Sequence, residues 1–372
     1  MDGSGAVTTL DDLPTPCLVL DLGILKRNLA RMQAAVARHP GLILRPHMKT
    51  AKSVDVAALA APGFGPITVS TVAEARYFAE AGWRDQIYAV GVTPQKLDAL
   101  AALGADIKLI TDDLDAARAI AAHPGKLRAL IEIDVGEGRG GVPPESEELP
   151  AIAAALGPKL AGVFTHAGHS YRGRDIPTMA AIAETERAGV VRAAERLRAA
   201  GHAVPIVSMG SSPTALHAEH LEGITELRAG VYMFGDLFQA QLGTHAPEDI
   251  ALTVLTSVTG RKPARNAVLV DAGALALSKD RSTEAAPRDY GFGLALDIDG
   301  GDAFGQATVT RTHQEHGEVT GPAPLPFDRL PIGARLRIAP NHTCLTAAAH
   351  ERYHVVDGGH EVLAVWPRVN FW

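Results

Sequence analysis

The chain has 372 residues, 47% hydrophobic and 21% charged, enough to bury large cores in two or three domains without disulfide staples. Basic side chains number 35 against 42 acidic ones, a formal charge of −7, and no Lys or Arg run offers a footprint for nucleic acid or anionic lipid. Small-molecule chemistry is the expectation. Only two cysteines occur, Cys17 and Cys344, which excludes a disulfide framework and points to a reducing, cytoplasmic setting. The first residues carry acids where a signal peptide carries basic groups, and the chain has no apolar stretch of about 18 residues.

In chain order, PCLVLD (16–21) is a short apolar strand set apart from the alternating pattern of residues 42–235. Within that region, β-branched runs alternate with Ala-, Leu- and Arg-rich segments of helical period. The runs are LILRPH (42–47), PITVST (66–71), QIYAV (86–90), IKLIT (107–111), LRALIEIDV (127–135), LAGVFTH (160–166), PIVSMG (205–210) and ELRAGVY (226–232). Segments such as KRNLARMQAAVARH and ERAGVVRAAERLRAAG place charge on one face and apolar residues on the other, and several stop at Gly or Pro. This alternation yields a parallel sheet covered by helices. An open doubly wound sheet would show it too, but the count of eight runs favours an α/β fold built on a (β/α)8 barrel over residues 22–245. After about residue 245, ALTVLTSVTGR, NAVLVDAGALALS, GFGLALDI, ATVTRTH, ARLRIAP and YHVVDGGHEVLAVW read as strands without intervening helices. A C-terminal all-β domain over 246–372 is expected, completed by residues 1–21, whose PCLVLD strand would pair with it.

Barrel chemistry sits where strands end. The first run ends in RPHMKT, where Arg45, His47 and Lys49 alternate to one side and Lys49 marks the strand's stop. Alone, Lys49 reads as a solvated loop residue. The loops SMGSSPT (208–214) and RAGVY (228–232) set glycine beside hydroxyl groups at the corner where barrels usually hold phosphate. A lysine across the mouth from such a corner suits a phosphate-bearing aldehyde, and pyridoxal 5'-phosphate fits best. EIDVGEGRGGV (132–142) offers Arg139 to that cofactor's phenolate edge, and THAGHSY (165–171) offers His169 or Tyr171 to a ring face. Both segments are also plain glycine loops, and His166 reads equally as a satisfied core histidine.

In APNHTCLT, His342 and Cys344 stand two apart on what reads as a strand end. That spacing sends an imidazole and a thiolate to one side, half a site for a borderline metal such as zinc. A buried cysteine beside a capping histidine is the structural alternative. Two protein ligands would leave positions open for substrate oxygens. QEHG (314–317) adds Glu315 and His316 as candidate acid or base, while His350, His354 and His360 read as surface or strand histidines.

TPCLVLD, RPHMKT, EIDVGEGRGGV, THAGHSY, GSSPT, ELRAGVYMFGD, VDAGALALSKD, QEHG and PNHTC resemble, nearly end to end, the fold-type III pyridoxal phosphate enzymes of the D-threonine aldolase and D-serine dehydratase family. The resemblance implies an alanine racemase-like fold, Lys49 as Schiff-base lysine, phosphate held around Ser211, Ser212, Gly230 and Tyr232, and a divalent metal on His342 and Cys344. Ala51 stands where the family often has histidine and Gly140 where it often has cysteine, which leaves the subfamily open. An H-x-C pair resembles the D-serine and 3-hydroxy-D-aspartate dehydratases with zinc, whereas the aldolase branch is similar to H-x-D, a harder set for manganese or magnesium. The expected enzyme is therefore a dehydratase, an ammonia-lyase of D-3-hydroxy amino acids such as D-serine, D-threonine or 3-hydroxy-D-aspartate. It would release a 2-oxo acid and ammonia, with Lys49 as base at Cα, the metal as Lewis acid on the hydroxyl and His316 as proton donor. Retro-aldol cleavage to glycine and an aldehyde is the nearest alternative. An amino-acid racemase, a non-catalytic pyridoxal phosphate carrier and a metal-only barrel hydrolase are further ones. The resemblance also implies a homodimer.

Overall fold

The computed structural model describes residues 8–173 and 175–372. It begins with β1 (Cys17–Asp21) and α1 (Leu22–Ala37). Eight parallel strands come next: β2 (Ile43–Pro46), β3 (Ile67–Val69), β4 (Asp85–Gly91), β5 (Asp106–Thr111), β6 (Arg128–Ile133), β7 (Leu160–Thr165), β8 (Ile206–Met209) and β9 (Glu226–Ala229). The helices among them are α2 (Val54–Ala60), α3 (Val72–Glu80), α4 (Leu97–Ala101), α5 (Leu114–Ala122), α6 (Glu148–Leu156), α7 (Ile176–Ala199) and α8 (Ser212–His217). Each of the eight apolar runs coincides with one strand. Helix starts follow their caps: Thr71 accepts the Glu74 N–H before α3, Asp113 that of Ala116 before α5, and Asp175 that of Thr178 before α7.

The strands pair in the order β2-β9-β8-β7-β6-β5-β4-β3, and a parallel bridge between His47 and Thr68 brings β2 back to β3. Met48 N–H donates to Thr68 O there at 2.8 Å. This seam separates a barrel from an open sheet, and it fixes the turn that carries Lys49. Near the N-terminal ends of the strands the barrel is crossed by charge. Arg45 pairs with Glu226 at 2.9 Å and with Asp85 at 2.8 Å, and Lys108 reaches Asp85 and Asp106. The Arg45, Lys108 and Glu226 side chains are each 3% exposed, so their charges are compensated by these ion-pair partners more than by water. Ile87, Ile110, Leu130, Ala161 and Phe164 form an apolar cluster of the same barrel.

The remaining strands are β10 (Leu252–Lys262), β11 (Ala267–Val270), β12 (Leu294–Leu296), β13 (Thr308–Thr312), β14 (Gly317–Thr320), β15 (Arg335–Ala339), β16 (Arg352–Val356) and β17 (Ala364–Pro367). With β1 they form a nine-stranded sheet ordered β11-β14-β13-β12-β15-β10-β1-β16-β17. β1 runs antiparallel to β10 and parallel to β16, so the isolated N-terminal strand does join the C-terminal sheet. The expectation of strands without helices needs correction. α10 (Ala274–Leu277) and α11 (Thr343–Ala347) interrupt them, while α9 (Leu237–Leu242) precedes β10. In NAVLVDAGALALS the strand stops at Val270, and Ala274 and Leu275 give their N–H groups to His313 O and Gln314 O, which turns the rest of the segment into α10.

The chain divides into two compact units. One holds the sheet, through Asn28 and over Met233–Arg368, and the other holds the barrel, Leu29–Tyr232 with Val369–Trp372. No helix among the described residues is long and apolar enough to cross a membrane.

Candidate active site

At the C-terminal ends of the barrel strands lies a cavity of about 460 Å³, lined among others by His47, Lys49, Asp112, Glu132, Arg139, His166 and Arg228. Lys49 is exposed on the turn after β2. Arg228 is 2% exposed, its guanidinium 3.5 Å from the Phe164 ring centroid. Its Nε donates to Ser208 Oγ at 2.8 Å and its Nη2 to Thr165 O. Burial pulls its pKa down to about 10 against the opposing charges of Glu186, Glu226 and Glu132, so it stays a cation at neutral pH. Burial, followed by the nearby Lys49 charge, holds the His47 and His166 imidazoles neutral, with His166 brought down to about 3. His166 Nδ1 donates to Gly210 O at 3.0 Å, which leaves Nε2 unprotonated. Burial also raises Glu132, in spite of Arg139 at 3.9 Å.

The residues expected from the sequence fall into separate groups. Lys49 and Arg139 line the cavity, Arg139 held loosely by Glu137 at 3.6 Å. Ser211, Ser212, Gly230 and Tyr232 make an adjoining corner. Tyr232 N–H donates to Ser212 Oγ at 3.1 Å, and Ser211 Oγ bonds Ser170 Oγ at 2.9 Å and accepts the Thr214 N–H at 3.2 Å. A Cβ at Gly230 would stand 2.8 Å from Thr50 Oγ1 and 2.9 Å from His47 O, so this corner abuts the Lys49 turn and only glycine fits. His169 packs beside Gly136, its buried Nδ1 without a hydrogen-bond partner among the described residues. Tyr171 lies in the single turn Gly168–Arg172. Of the imidazoles after β7, it is His166 that lines the cavity.

In the sheet unit, His342 caps α11 and Cys344 lies in its first turn, not on a strand end. β15 ends at Ala339, and Pro340 with Asn341 turns the chain, the Asn341 amide donating to Gly291 O at 2.7 Å and Asp280 O at 3.1 Å. The two side chains nevertheless meet in a hydrogen bond. Burial opposes a charge on His342, but Cys344, Asp280 (3.7 Å from Nδ1) and Asp236 lift its pKa to about 11. Asp236, pushed up to about 6 by burial, accepts the Gln239 N–H at 2.8 Å and the Thr343 N–H at 3.2 Å. Among the described residues no three His, Cys, Asp or Glu converge on one point, so no third such side chain joins the pair. His316 is exposed on the turn between β13 and β14.

Residues 20–237 match the alanine racemase N-terminal domain, and residues 251–356 match a putative serine dehydratase domain. The chain belongs to the fold-type III pyridoxal phosphate enzymes, in the family of the D-threonine aldolases and D-serine dehydratases. D-threo-3-hydroxyaspartate dehydratase from Delftia sp. strain HT23 is 44% identical over 98% of this chain and 99% of its own length. A 3-hydroxy-D-aspartate aldolase from Paracoccus denitrificans strain Pd 1222 is 33% identical over 96% of this chain and 92% of its own. A solved cysteine-to-alanine variant of D-threo-3-hydroxyaspartate dehydratase, in its metal-free form, superposes with a TM-score of 0.93 at 43% identity, covering 98% of this chain and 100% of that one.

The cavity of this fold-type III member fits its family's cofactor. It offers an amine, a buried guanidinium that makes no direct ion pair among the described residues, and a glycine-lined corner for an anion. An imidazole beside a thiolate is likewise a fitting donor set for a borderline divalent metal.

Proposed function

We propose that this chain is a pyridoxal phosphate-dependent, metal-assisted dehydratase of D-3-hydroxy amino acids such as D-serine, D-threonine or 3-hydroxy-D-aspartate, releasing a 2-oxo acid and ammonia. The observation that carries this reading is Cys344 hydrogen-bonded to His342, a donor pair softer than any set built from oxygen ligands alone. The near full-length similarity to a D-threo-3-hydroxyaspartate dehydratase supports it. When bound, the cofactor supplies an electron sink for the substrate's Cα, and zinc supplies Lewis acidity toward the β-hydroxyl.

The chain's own groups divide the remaining work. Lys49 holds the cofactor's aldehyde and takes the Cα proton. Arg139 would serve the cofactor's phenolate edge, while Ser211, Ser212, Gly230 and Tyr232 would hold the phosphate. His169 or Tyr171, or the neutral His166 that lines the cavity, would cover a ring face. His342 and Cys344 hold the metal, and His316 protonates the departing hydroxide. Exposed Leu275 and Leu345, on α10 and α11 of the dyad's unit, support a homodimer in which a second copy covers them. The free thiols of Cys17 and Cys344 support a cytoplasmic setting.

The aldolase relative keeps retro-aldol cleavage as the second reading. Product analysis separates the two. With D-serine, D-threonine and 3-hydroxy-D-aspartate, the expected products are 2-oxo acid and ammonia, lost on chelation and restored by zinc. Glycine plus an aldehyde, or turnover indifferent to the chelator, would overturn the assignment.

A further inference from the structure

Glu186 sits on α7, fully buried, among apolar neighbours of the same helix face. One carboxylate oxygen, Oε1, accepts two backbone N–H groups at 3.0 Å each, from Ala167 after β7 and from Gly210 after β8. The Gly210 carbonyl is held at the same time by His166 Nδ1 at 3.0 Å. Gly210 has φ +134°, and a Cβ there would collide with Arg228 O. The peptide that leads into Ser211 and Ser212 is therefore pinned at its N–H, at its carbonyl and by its lack of a side chain. Glu186 is also the foremost opposing charge for Arg228 in the cavity wall.

We propose that Glu186 is a positioning residue for the cofactor's phosphate. It ties the loops after β7 and β8 to α7 and so presets the corner that receives the anion. The inference rests on the reading that pyridoxal phosphate occupies this mouth. Removing the acceptor leaves two buried N–H groups without a partner, and the loop then moves to find water.

The test compares wild type, Glu186→Gln, Glu186→Asp and Glu186→Ala as full-length chains stripped of cofactor. Each is titrated with pyridoxal 5'-phosphate and, separately, with phosphate-free pyridoxal, by absorbance. Glu186→Ala is expected to weaken pyridoxal phosphate binding by about tenfold or more, the equivalent of one unsatisfied buried N–H, with pyridoxal binding unchanged. Glu186→Gln keeps an acceptor oxygen and is expected to stay within about threefold of wild type. Glu186→Asp, withdrawn by one methylene, is expected to behave like Glu186→Ala and decides the matter if the alanine variant does not fold. Parallel loss for both ligands, or wild-type affinity in Glu186→Asp, overturns the positioning role. A wild-type chain that takes up neither ligand overturns the functional reading itself, and the inference with it.

Discussion

Metal uptake by the His342–Cys344 pair should climb steeply with pH. In the metal-free chain, Cys344, Asp280 and Asp236 keep the His342 imidazole protonated up to about 11, although burial pulls the other way. A metal binds only the unprotonated ring, so binding must release that proton. With the ring protonated throughout pH 7 to 9, each pH unit frees about tenfold more of it, which makes apparent affinity rise about a hundredfold over the two units. The same raised pKa stabilises the metal-free fold below the ordinary value of 6.5 and loses that contribution as pH rises toward 11. Competition against a chromophoric zinc chelator at pH 7, 8 and 9, corrected for the chelator's own protonation, measures the slope. His342→Ala should weaken uptake and flatten the profile. Affinity in the intact protein that is level across this range, or that falls, would refute the argument that imidazolium and metal compete for one nitrogen.

Two further outcomes are expected. Lys49→Ala should abolish the yellow chromophore seen by visible absorbance and lower turnover by about a thousandfold or more, as loss of both the tethering amine and the Cα base requires; retained colour with retained turnover would remove Lys49 from the chemistry. Arg45→Met should cost about 3–5 kcal/mol in urea unfolding, because Glu226, 3% exposed, keeps a buried charge whose nearest cation has gone. Adding Glu226→Leu should recover much of that loss, and a single-variant cost below about 1 kcal/mol would show that water reaches the pair.

The barrel was legible because its strands are short apolar runs at near-regular spacing, a pattern that few packings other than eight parallel strands satisfy. Closure was not, since it depends on one bridge, His47 to Thr68, that has no local signature. In the sheet unit, the alternation in NAVLVDAGALALS read as a continuous strand, whereas the backbone around Gly273 runs so close to the turn at 314–316 that the chain leaves the sheet. The dyad was found for a reason that only partly held. Two-residue spacing brings side chains together on a strand, but here a helix cap beside Pro340 does it.

Glu226 and Arg228, inside the barrel and not among the candidates, carry one signature, which is local inconsistency. Glu226 and Arg228 alternate along β9, a strand with every residue buried, and Arg45 and His47 do the same along β2 and its exit. A charge at every second position of a buried strand cannot face solvent, so it must meet a partner, another charge or a ligand. The same logic applies at the helical period. ERAGVVRAAERLRAAG reads as an amphipathic helix with Glu186 on its polar side, yet Met179, Ala183, Glu186, Val190, Ala193 and Leu197 are the buried stripe of α7. Measured against that spacing, Glu186 is the one acid on the apolar stripe. A carboxylate there survives only if donors are brought to it, and the donors are the Ala167 and Gly210 N–H groups of the two loops that frame the proposed phosphate corner. The position of this acid on its stripe thus ties helix packing directly to the shape of the binding site.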